Sequence, residues 1–238
     1  MKRALVIGAS SGMGREFAQR LADAGWRVGV VGRRETLLLE VVRRDPDRLF
    51  YCRADISRPK DAVAGLERLV DRIGGMDLCI LAAGTGDLNP TLDFAGEEPA
   101  ILTNVWGWTA VADWACGYFE DRGSGHLAVI TSVGGLRGSG AAPAYNASKA
   151  YQINYVEGLR QRIAKSHSRI AVTEIRPGLV ATEMAKGDGL FWVMPVEKAV
   201  RQALHGLYRR RKLVVVTRRW RIIAWLLRHL PDRLYLGL

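Results

Sequence analysis

The sequence is poor in cysteine, with three among its 238 residues. Cys52, Cys79 and Cys116 are scattered along the chain, and no Cys-x-x-Cys pair or Cys/His cluster accompanies them. This pattern argues against a disulfide framework and gives no sign of a bound metal. We therefore expect a metal-free protein of the reducing cytoplasm.

Long apolar runs are also missing. No stretch approaches the roughly 18 uninterrupted apolar residues that would predict a membrane-spanning helix. The apolar run after Lys2 and Arg3 ends at Gly8, which is too short for the hydrophobic region of a signal peptide. We expect neither a membrane span nor a secretory leader. With 48% hydrophobic residues, the chain can bury the core of one domain that covers residues 1–238.

Acidic residues are scarce at the end of the chain, where residues 209–238 contain nine Lys or Arg and one acid, Asp232. This segment therefore carries most of the formal net charge of +11. At about 100° per residue, large apolar side chains of residues 218–230 share one helix face of roughly 160°. They are Trp220, Ile222, Ile223, Leu226, Leu227 and Leu230, with Arg221 and Arg228 on the opposite side.

This pattern predicts a basic amphipathic helix over residues 218–230 whose apolar face is covered in the working protein. An anionic membrane surface would suit arginines and tryptophans on such a helix. An interface with another subunit of a homo-oligomer suits it equally, and both alternatives stay open here. Nucleic acid is not expected as a partner, because the charge is interleaved with apolar residues instead of forming a basic stripe.

Short apolar runs alternate with helical patterns along the chain. The runs predicted to be buried strands are residues 4–7, 26–31, 49–52, 76–81, 126–132, 170–175 and 213–216. Helices are predicted between them, including residues 60–73 and a long helix over 97–120 that contains Asn104. Because strands that alternate with helices form parallel sheets, we predict an α/β fold: one doubly wound, Rossmann-type parallel sheet with helices on both faces.

The first predicted strand runs directly into a glycine-rich turn, Gly8-Ala9-Ser10-Ser11-Gly12-Met13-Gly14. An amphipathic helix with Phe17 and Leu21 on its apolar face follows this turn. A strand, a glycine turn and a helix in this order bring backbone N–H groups and a helix N-terminus together to bind a pyrophosphate. We interpret the turn as a dinucleotide phosphate site.

The second predicted strand lacks the acid that binds the ribose hydroxyls of NAD in dinucleotide-binding folds. Its end reads Gly32-Arg33-Arg34 instead. An acid would repel a 2′-phosphate, whereas a guanidinium group binds phosphate through its planar fork. We therefore expect NADP(H) in preference to NAD(H), with Arg33 as the phosphate ligand and Arg34 as the start of a solvated helix.

Tyr145 and Lys149 lie four residues apart in a helix-favouring run, Ala144-Tyr145-Asn146-Ala147-Ser148-Lys149-Ala150. This spacing places an ammonium beside a phenol on one helix face, where a positive charge favours the phenolate. Ser132 stands at the end of the fifth predicted strand, and ligands of open parallel sheets bind outside the carboxyl ends of the strands. The chain thus has a candidate acid–base pair and a candidate hydrogen-bond donor near the predicted cofactor site.

Together these motifs resemble the short-chain dehydrogenase/reductase family, in its short single-domain branch, over about residues 3–205. Gly8-x-x-x-Gly12-x-Gly14 matches the family's cofactor loop, although Ile7 replaces the usual threonine. The resemblance implies that Asp55, next to Ile56, contacts the adenine. Ala82-Ala83-Gly84 matches a further loop without its asparagines, and Pro177-Gly178 with Thr182 matches the segment that contacts the nicotinamide carboxamide.

The resemblance also implies a catalytic set of Asn104, Ser132, Tyr145 and Lys149. In the family pattern, Tyr145 is the general acid in reduction and the base in oxidation, while Lys149 lowers its pKa and binds the nicotinamide ribose. Ser132 donates a hydrogen bond to the substrate oxygen, and Asn104 holds a water that joins Lys149 to solvent. The function expected is an NADP(H)-dependent oxidoreductase that interconverts a carbonyl and a secondary alcohol.

The predicted substrate region is the segment from Glu183 to Met194, where this family closes over its substrate. It contains Met184 and Leu190-Phe191-Trp192-Val193-Met194, with Gly187 and Gly189 as candidate hinges. Such side chains suit an apolar substrate, and equally suit simple filling of the core. Two alternative functions involve no catalysis: a nucleotide-binding regulator, and a membrane- or partner-binding scaffold with a vestigial active site.

Overall fold

A seven-stranded parallel sheet forms the centre of the computed structural model, which describes residues 1–166, 168–185 and 191–237. The strand order is β3-β2-β1-β4-β5-β6-β7. The strands are β1 (Arg3–Ile7), β2 (Arg27–Gly32), β3 (Leu49–Arg53), β4 (Leu78–Leu81), β5 (Ser124–Ile130), β6 (Arg169–Pro177) and β7 (Leu213–Val216). The order reverses between β1 and β4, as in a doubly wound sheet. The predicted fold class is confirmed.

Helices cover both faces of this sheet, and the strands alternate between two apolar cores. Ala4 and Val6 of β1 face a core shared with α1 (Gly12–Asp23), α2 (Glu35–Arg43) and α7 (Val196–Tyr208). Leu5 and Ile7 face the other core, shared with α3 (Pro59–Ile73), α5 (Trp108–Asp121) and α6 (Pro143–Lys165). Successive side chains of a strand point to opposite faces, so a sheet covered on both sides needs continuous apolar runs.

The long helix predicted over residues 97–120 is interrupted. It is built as α4 (Phe94–Ile101), a π-helical turn over Leu102–Gly107, and α5. Asn104 lies in the middle of the turn, where its side-chain amide bonds both backbone groups of Thr85. These bonds fix Asn104 towards the carboxyl end of β4, and the wider turn accommodates it within the helix. π-Helical turns are rare, so periodicity alone gives no reason to predict one.

The C-terminal helix predicted over residues 218–230 is present as α8 (Arg218–His229), followed by α9 (Asp232–Tyr235). Its apolar face is divided between two environments. Trp220 and Ala224 are buried in a small cluster with Val133, and Ile223 packs against them. Ile222 and Leu226 of the same face remain exposed, at 62% and 43%. The domain itself therefore covers one part of this face. The sequence-based prediction was that lipid or another subunit covers it.

Contacts of Arg137 and a hydrogen bond from the Tyr235 hydroxyl to the Gly138 carbonyl attach α9 to the loop after β5. The Arg137 guanidinium is 2.8 Å from the carboxylate of Asp232 and lies over the ring of Tyr235. These contacts tie the end of the chain to the segment that follows Ser132. Within the described ranges, none of the helices combines the length and the apolarity needed to cross a bilayer.

Candidate active site

One cavity of about 700 Å³ opens at the carboxyl ends of the strands. It is continuous from the glycine-rich turn after β1 to the residues around Ser132 and Tyr145, and on to Gly178 after β6. The cavity also brings Arg33, Asp55, Lys149 and Thr182 to its walls. Elements that are far apart in sequence therefore meet at one edge of the sheet, as expected for a ligand site in a parallel α/β fold.

The glycine-rich turn has the geometry of an anion cradle. Gly8 has φ of +89°, and a Cβ there would stand 2.5 Å from the backbone nitrogen of Ala83. A Cβ on Gly14 would collide with the Gly8 carbonyl, so the turn packs tightly under the start of α1. Ser11 precedes α1 without a side-chain cap, which leaves N–H groups of the first helical turn free of that partner. Such N–H groups bind phosphate oxygens.

Arg34 contacts this turn directly. Its guanidinium donates to Ser10 Oγ at 3.2 Å and to Ser11 Oγ at 2.6 Å, and it forms an ion pair with Glu183 at 2.9 Å. Arg33 is exposed and also lines the cavity. Arg34 is exposed and stands directly before α2 as its N-cap, as expected for the start of a solvated helix. Its side chain in addition reaches the glycine-rich turn, which was not expected. The role of Arg33 stays a prediction.

Asp55 and Ile56 line the far end of the same cavity, beside Ala83 and Gly84. Asp55 Oδ1 accepts hydrogen bonds from the backbone nitrogen of Ser57 at 3.0 Å and from its hydroxyl at 2.8 Å. These bonds hold the carboxylate on the loop that follows β3. The position agrees with the predicted adenine contact, which remains a prediction.

Ser132 follows β5 and caps the 3₁₀ turn Val133–Leu136, with its Oγ accepting from the backbone nitrogen of Gly134 at 3.0 Å. A buried polar network lies directly beneath it. Thr131 donates to Glu174 at 2.7 Å, and Glu174 is paired with Arg176 at 2.7 Å. This network joins the ends of β5 and β6 just before Ser132 and Pro177, and sequence patterns gave no indication of it.

Tyr145 and Lys149 are brought together by α6, as their spacing predicts. The Lys149 ammonium lies 5.9 Å from the centre of the Tyr145 ring. Lys149 is 4% exposed, and this burial lowers its pKa to about 8. Removal from solvent raises the pKa of Tyr145, while the neighbouring Ser132 hydroxyl lowers it by a smaller amount. Burial therefore disfavours the charged form of Lys149 relative to the same side chain in water.

Gln152 connects Lys149 to Asn104. Lys149 Nζ donates to Gln152 Oε1 at 3.0 Å and to the Ile130 carbonyl at 3.2 Å. Gln152 Nε2 donates to the backbone carbonyl of Asn104 at 2.8 Å. The Asn104 side chain is itself fixed by Thr85. Sequence analysis missed Gln152, although its position three residues after Lys149 on the same helix was a usable signal.

The segment after β6 forms the remaining wall. Gly178 donates its N–H to the Val216 carbonyl at 2.7 Å, and Pro177 and Thr182 line the cavity with it. Trp220 of α8 also lines this wall, a contribution that sequence analysis missed.

Only parts of the predicted substrate segment are described. Met184, Phe191, Trp192 and Val193 are exposed, whereas Met194 packs against the core, so the core-filling alternative holds for Met194. The candidate hinges and Leu190 lie outside the described residues.

Fold and site together define a doubly wound α/β protein in which Ser132, Tyr145 and Lys149 line one cavity with the glycine-rich turn. A family model described as short chain dehydrogenase matches residues 2–189. The chain belongs to the short-chain dehydrogenase/reductase family and is an oxidoreductase of the class that acts on CH–OH groups.

Relatives and solved structures agree with this assignment. A putative ketoacyl reductase of granaticin polyketide synthesis from Streptomyces violaceoruber is 28% identical over 204 residues, which cover 84% of this chain and 80% of that protein. A Burkholderia phymatum short-chain dehydrogenase/reductase in complex with NAD superposes with a TM-score of 0.86 at 18% identity, covering 94% and 92%. A Sphingobium yanoikuyae short-chain dehydrogenase in complex with NADPH gives 0.79 at 26% identity, with the same coverage. A nicotinamide cofactor is therefore supported.

Proposed function

We propose that this protein is an NADP(H)-dependent oxidoreductase that interconverts a carbonyl group and a secondary alcohol. The observation that carries the proposal is the convergence of Ser132, Tyr145 and Lys149 on one cavity with the glycine-rich turn. The test is NADPH consumption, followed at 340 nm, over a panel of aliphatic, steroid, acyl and sugar carbonyls. Turnover of none of these classes would contradict the proposal.

The residues present fit a dinucleotide. The tight turn at Gly8, the open N-terminus of α1 and the arginines after β2 suit a pyrophosphate and a second phosphate. Hydride transfer is the chemistry that a bound nicotinamide would supply. We assign the other predicted contacts to Ser10, Ser11, Gly12, Met13, Asp55, Ile56, Ala83, Gly84, Pro177, Gly178 and Thr182, all of which line the cavity.

The protein's own part in the reaction is to hold the substrate oxygen and to move one proton. In reduction, the Tyr145 hydroxyl gives its proton to the oxygen of the carbonyl, and in oxidation the phenolate takes it back. Ser132 donates a hydrogen bond to that oxygen, where negative charge develops. Lys149 stabilises the phenolate electrostatically, since its ammonium lies beside the ring. Asn104 and Gln152 hold Lys149 in place.

The proposed preference for NADP(H) over NAD(H) is based on the positive charge at the end of β2. Arg33 and Arg34 both line the cavity there, in place of the acid that would repel a 2′-phosphate. Arg34 is already oriented towards the phosphate turn by Ser10 and Ser11. We propose that Arg34 shares with Arg33 the recognition of the 2′-phosphate.

An apolar substrate is favoured by the side chains near the cavity's substrate end. Trp220 and Met184 line it, and Phe191 lies against Trp220. A nucleotide-sensing regulator or a scaffold with a vestigial site would need none of the buried machinery around Lys149. The intact set of acid, donor and cation therefore favours catalysis over both.

Association with other molecules is proposed at two surfaces. Exposed apolar side chains on α4 and the following turn suit a homo-oligomer interface: Phe94, Ile101, Leu102 and Trp106. On the outer face of α8, Ile222, Trp225 and Leu226 are exposed among arginines, which suits peripheral contact with anionic lipid or with a subunit. The cytoplasm remains the expected compartment.

A further inference from the structure

Trp220 lies where α8 meets the end of β6. Its side chain is 5% exposed. The indole ring packs so closely on Gly178 that a Cβ at this position would collide with it. The indole ring can approach the backbone this closely because residue 178 is a glycine and has no Cβ. The contact brings a large flat side chain from the C-terminal helix onto the loop assigned to the nicotinamide end of the cleft.

The indole ring also contacts the segment at Phe191 and shares a buried cluster with residues that line the cavity. Phe191 stacks on it, with ring centroids 5.4 Å apart and planes inclined by 26°. Val133, the residue after Ser132, belongs to the same buried cluster, and Leu179 packs against that cluster. Trp220 therefore joins the loop after β6, the loop after β5 and the segment at Phe191.

The indole nitrogen of Trp220 has no hydrogen-bond partner among the described residues. A buried indole N–H normally finds one. Within the described residues the ring therefore contributes apolar contacts and no hydrogen bond. In a cavity that also contains Ser132 and Tyr145, the flat apolar surface of this ring suits the apolar part of a substrate whose oxygen is held by polar groups.

We propose that Trp220 is a specificity-determining residue: its indole ring, backed by Phe191, forms the wall against which the apolar substituent of a ketone or secondary alcohol packs, and limits its size. This inference rests on the proposed function. It also gives α8, which lies beyond the residues matched by the family model, a part in the active site. Were Trp220 only an anchor for the helix, its loss would lower activity on all substrates alike.

The test compares Trp220→Ala and Trp220→Phe with a matched control, Trp26→Phe. Trp26 is partly buried directly before β2, at the amino end of that strand, whereas the cleft lies at the carboxyl ends of the strands. Substrates are acetophenone and the bulkier 2-acetonaphthone. Trp220→Ala should raise the ratio of kcat/KM for the bulky over the small ketone at least tenfold, Trp220→Phe should raise it less, and Trp26→Phe should leave it unchanged. An unchanged ratio in both Trp220 variants would overturn the proposal.

A second readout needs no turnover. Excitation of tryptophan at 295 nm in the presence of NADPH should produce sensitised nicotinamide emission, and Trp220→Phe should reduce it more than Trp26→Phe at equal NADPH saturation. Equal reductions would contradict the placement of Trp220 at the nicotinamide end. If the wild type reduces no ketone, the proposed function fails whatever the emission shows. If it reduces both ketones and the ratio does not move, only the role of Trp220 fails.

Discussion

Replacing Lys149 by methionine should stabilise the protein while removing its catalytic activity. Lys149 is almost completely buried, and this burial lowers its pKa from 10.5 to about 8. A difference of about 2.5 units corresponds to ~3 kcal/mol of unfavourable free energy for the charged form in the folded protein. The substitution also leaves Gln152 and the Ile130 carbonyl without their donor, at about 1 kcal/mol each. The net expectation is a gain in unfolding free energy of ~1 kcal/mol at pH 7.

The difference in stability between wild type and Lys149→Met should depend on pH. Below pH 8, Lys149 is charged in both the folded and the unfolded chain, so the whole penalty is present. As the pH rises from about 8 towards 10.5, the folded protein loses the proton while the unfolded chain keeps it. Wild-type stability therefore rises with pH in this window, and the advantage of the variant shrinks.

The assay is urea unfolding of the cofactor-free protein, followed by tryptophan fluorescence at pH 7, 8.5 and 9.5. The control is Lys165→Met, which removes an exposed lysine at the other end of α6. It should change stability by less than about 0.5 kcal/mol at every pH. A difference between wild type and Lys149→Met that stays constant from pH 7 to 9.5 would refute the assignment of Lys149 as a buried cation with a lowered pKa.

Three further predictions concern the cofactor, the support of Lys149 and the outer face of α8. Arg34→Ala and Arg33→Ala should each raise KM for NADPH more than for NADH, by roughly 10-fold or more; equal effects on both cofactors would exclude 2′-phosphate recognition by that residue. Gln152→Leu should lower kcat about tenfold with little change in NADPH affinity, and a fall in affinity alone would mean that Gln152 serves binding. Trp225→Ser should weaken flotation with anionic liposomes at low salt, whereas a lower oligomer mass would indicate a subunit interface.

The sheet could be predicted because each strand buried on both faces needs a continuous apolar run. The proximity of Tyr145 and Lys149 could be predicted because a spacing of four residues places both on one face of an α-helix. Trp220 could not be assigned in this way. Its periodicity identifies an apolar helix face, but the same pattern results whether lipid, a subunit or the active-site wall covers it. The contact of Arg34 with the glycine-rich turn could not be predicted either, because the direction of a long side chain depends on where Ser10 lies in space.

The most direct test of the central claim is the turnover of Tyr145→Phe with NADPH and a ketone that the wild type reduces. The variant lacks the phenolic hydroxyl and keeps the ring beside Lys149, so proton transfer is lost while the cofactor cleft is preserved. We predict that kcat falls at least about a thousandfold, within the range attributed to a positioned general acid. NADPH binding, measured by fluorescence titration, should change less than about threefold, a difference of less than 1 kcal/mol. Turnover like that of the wild type would contradict the account.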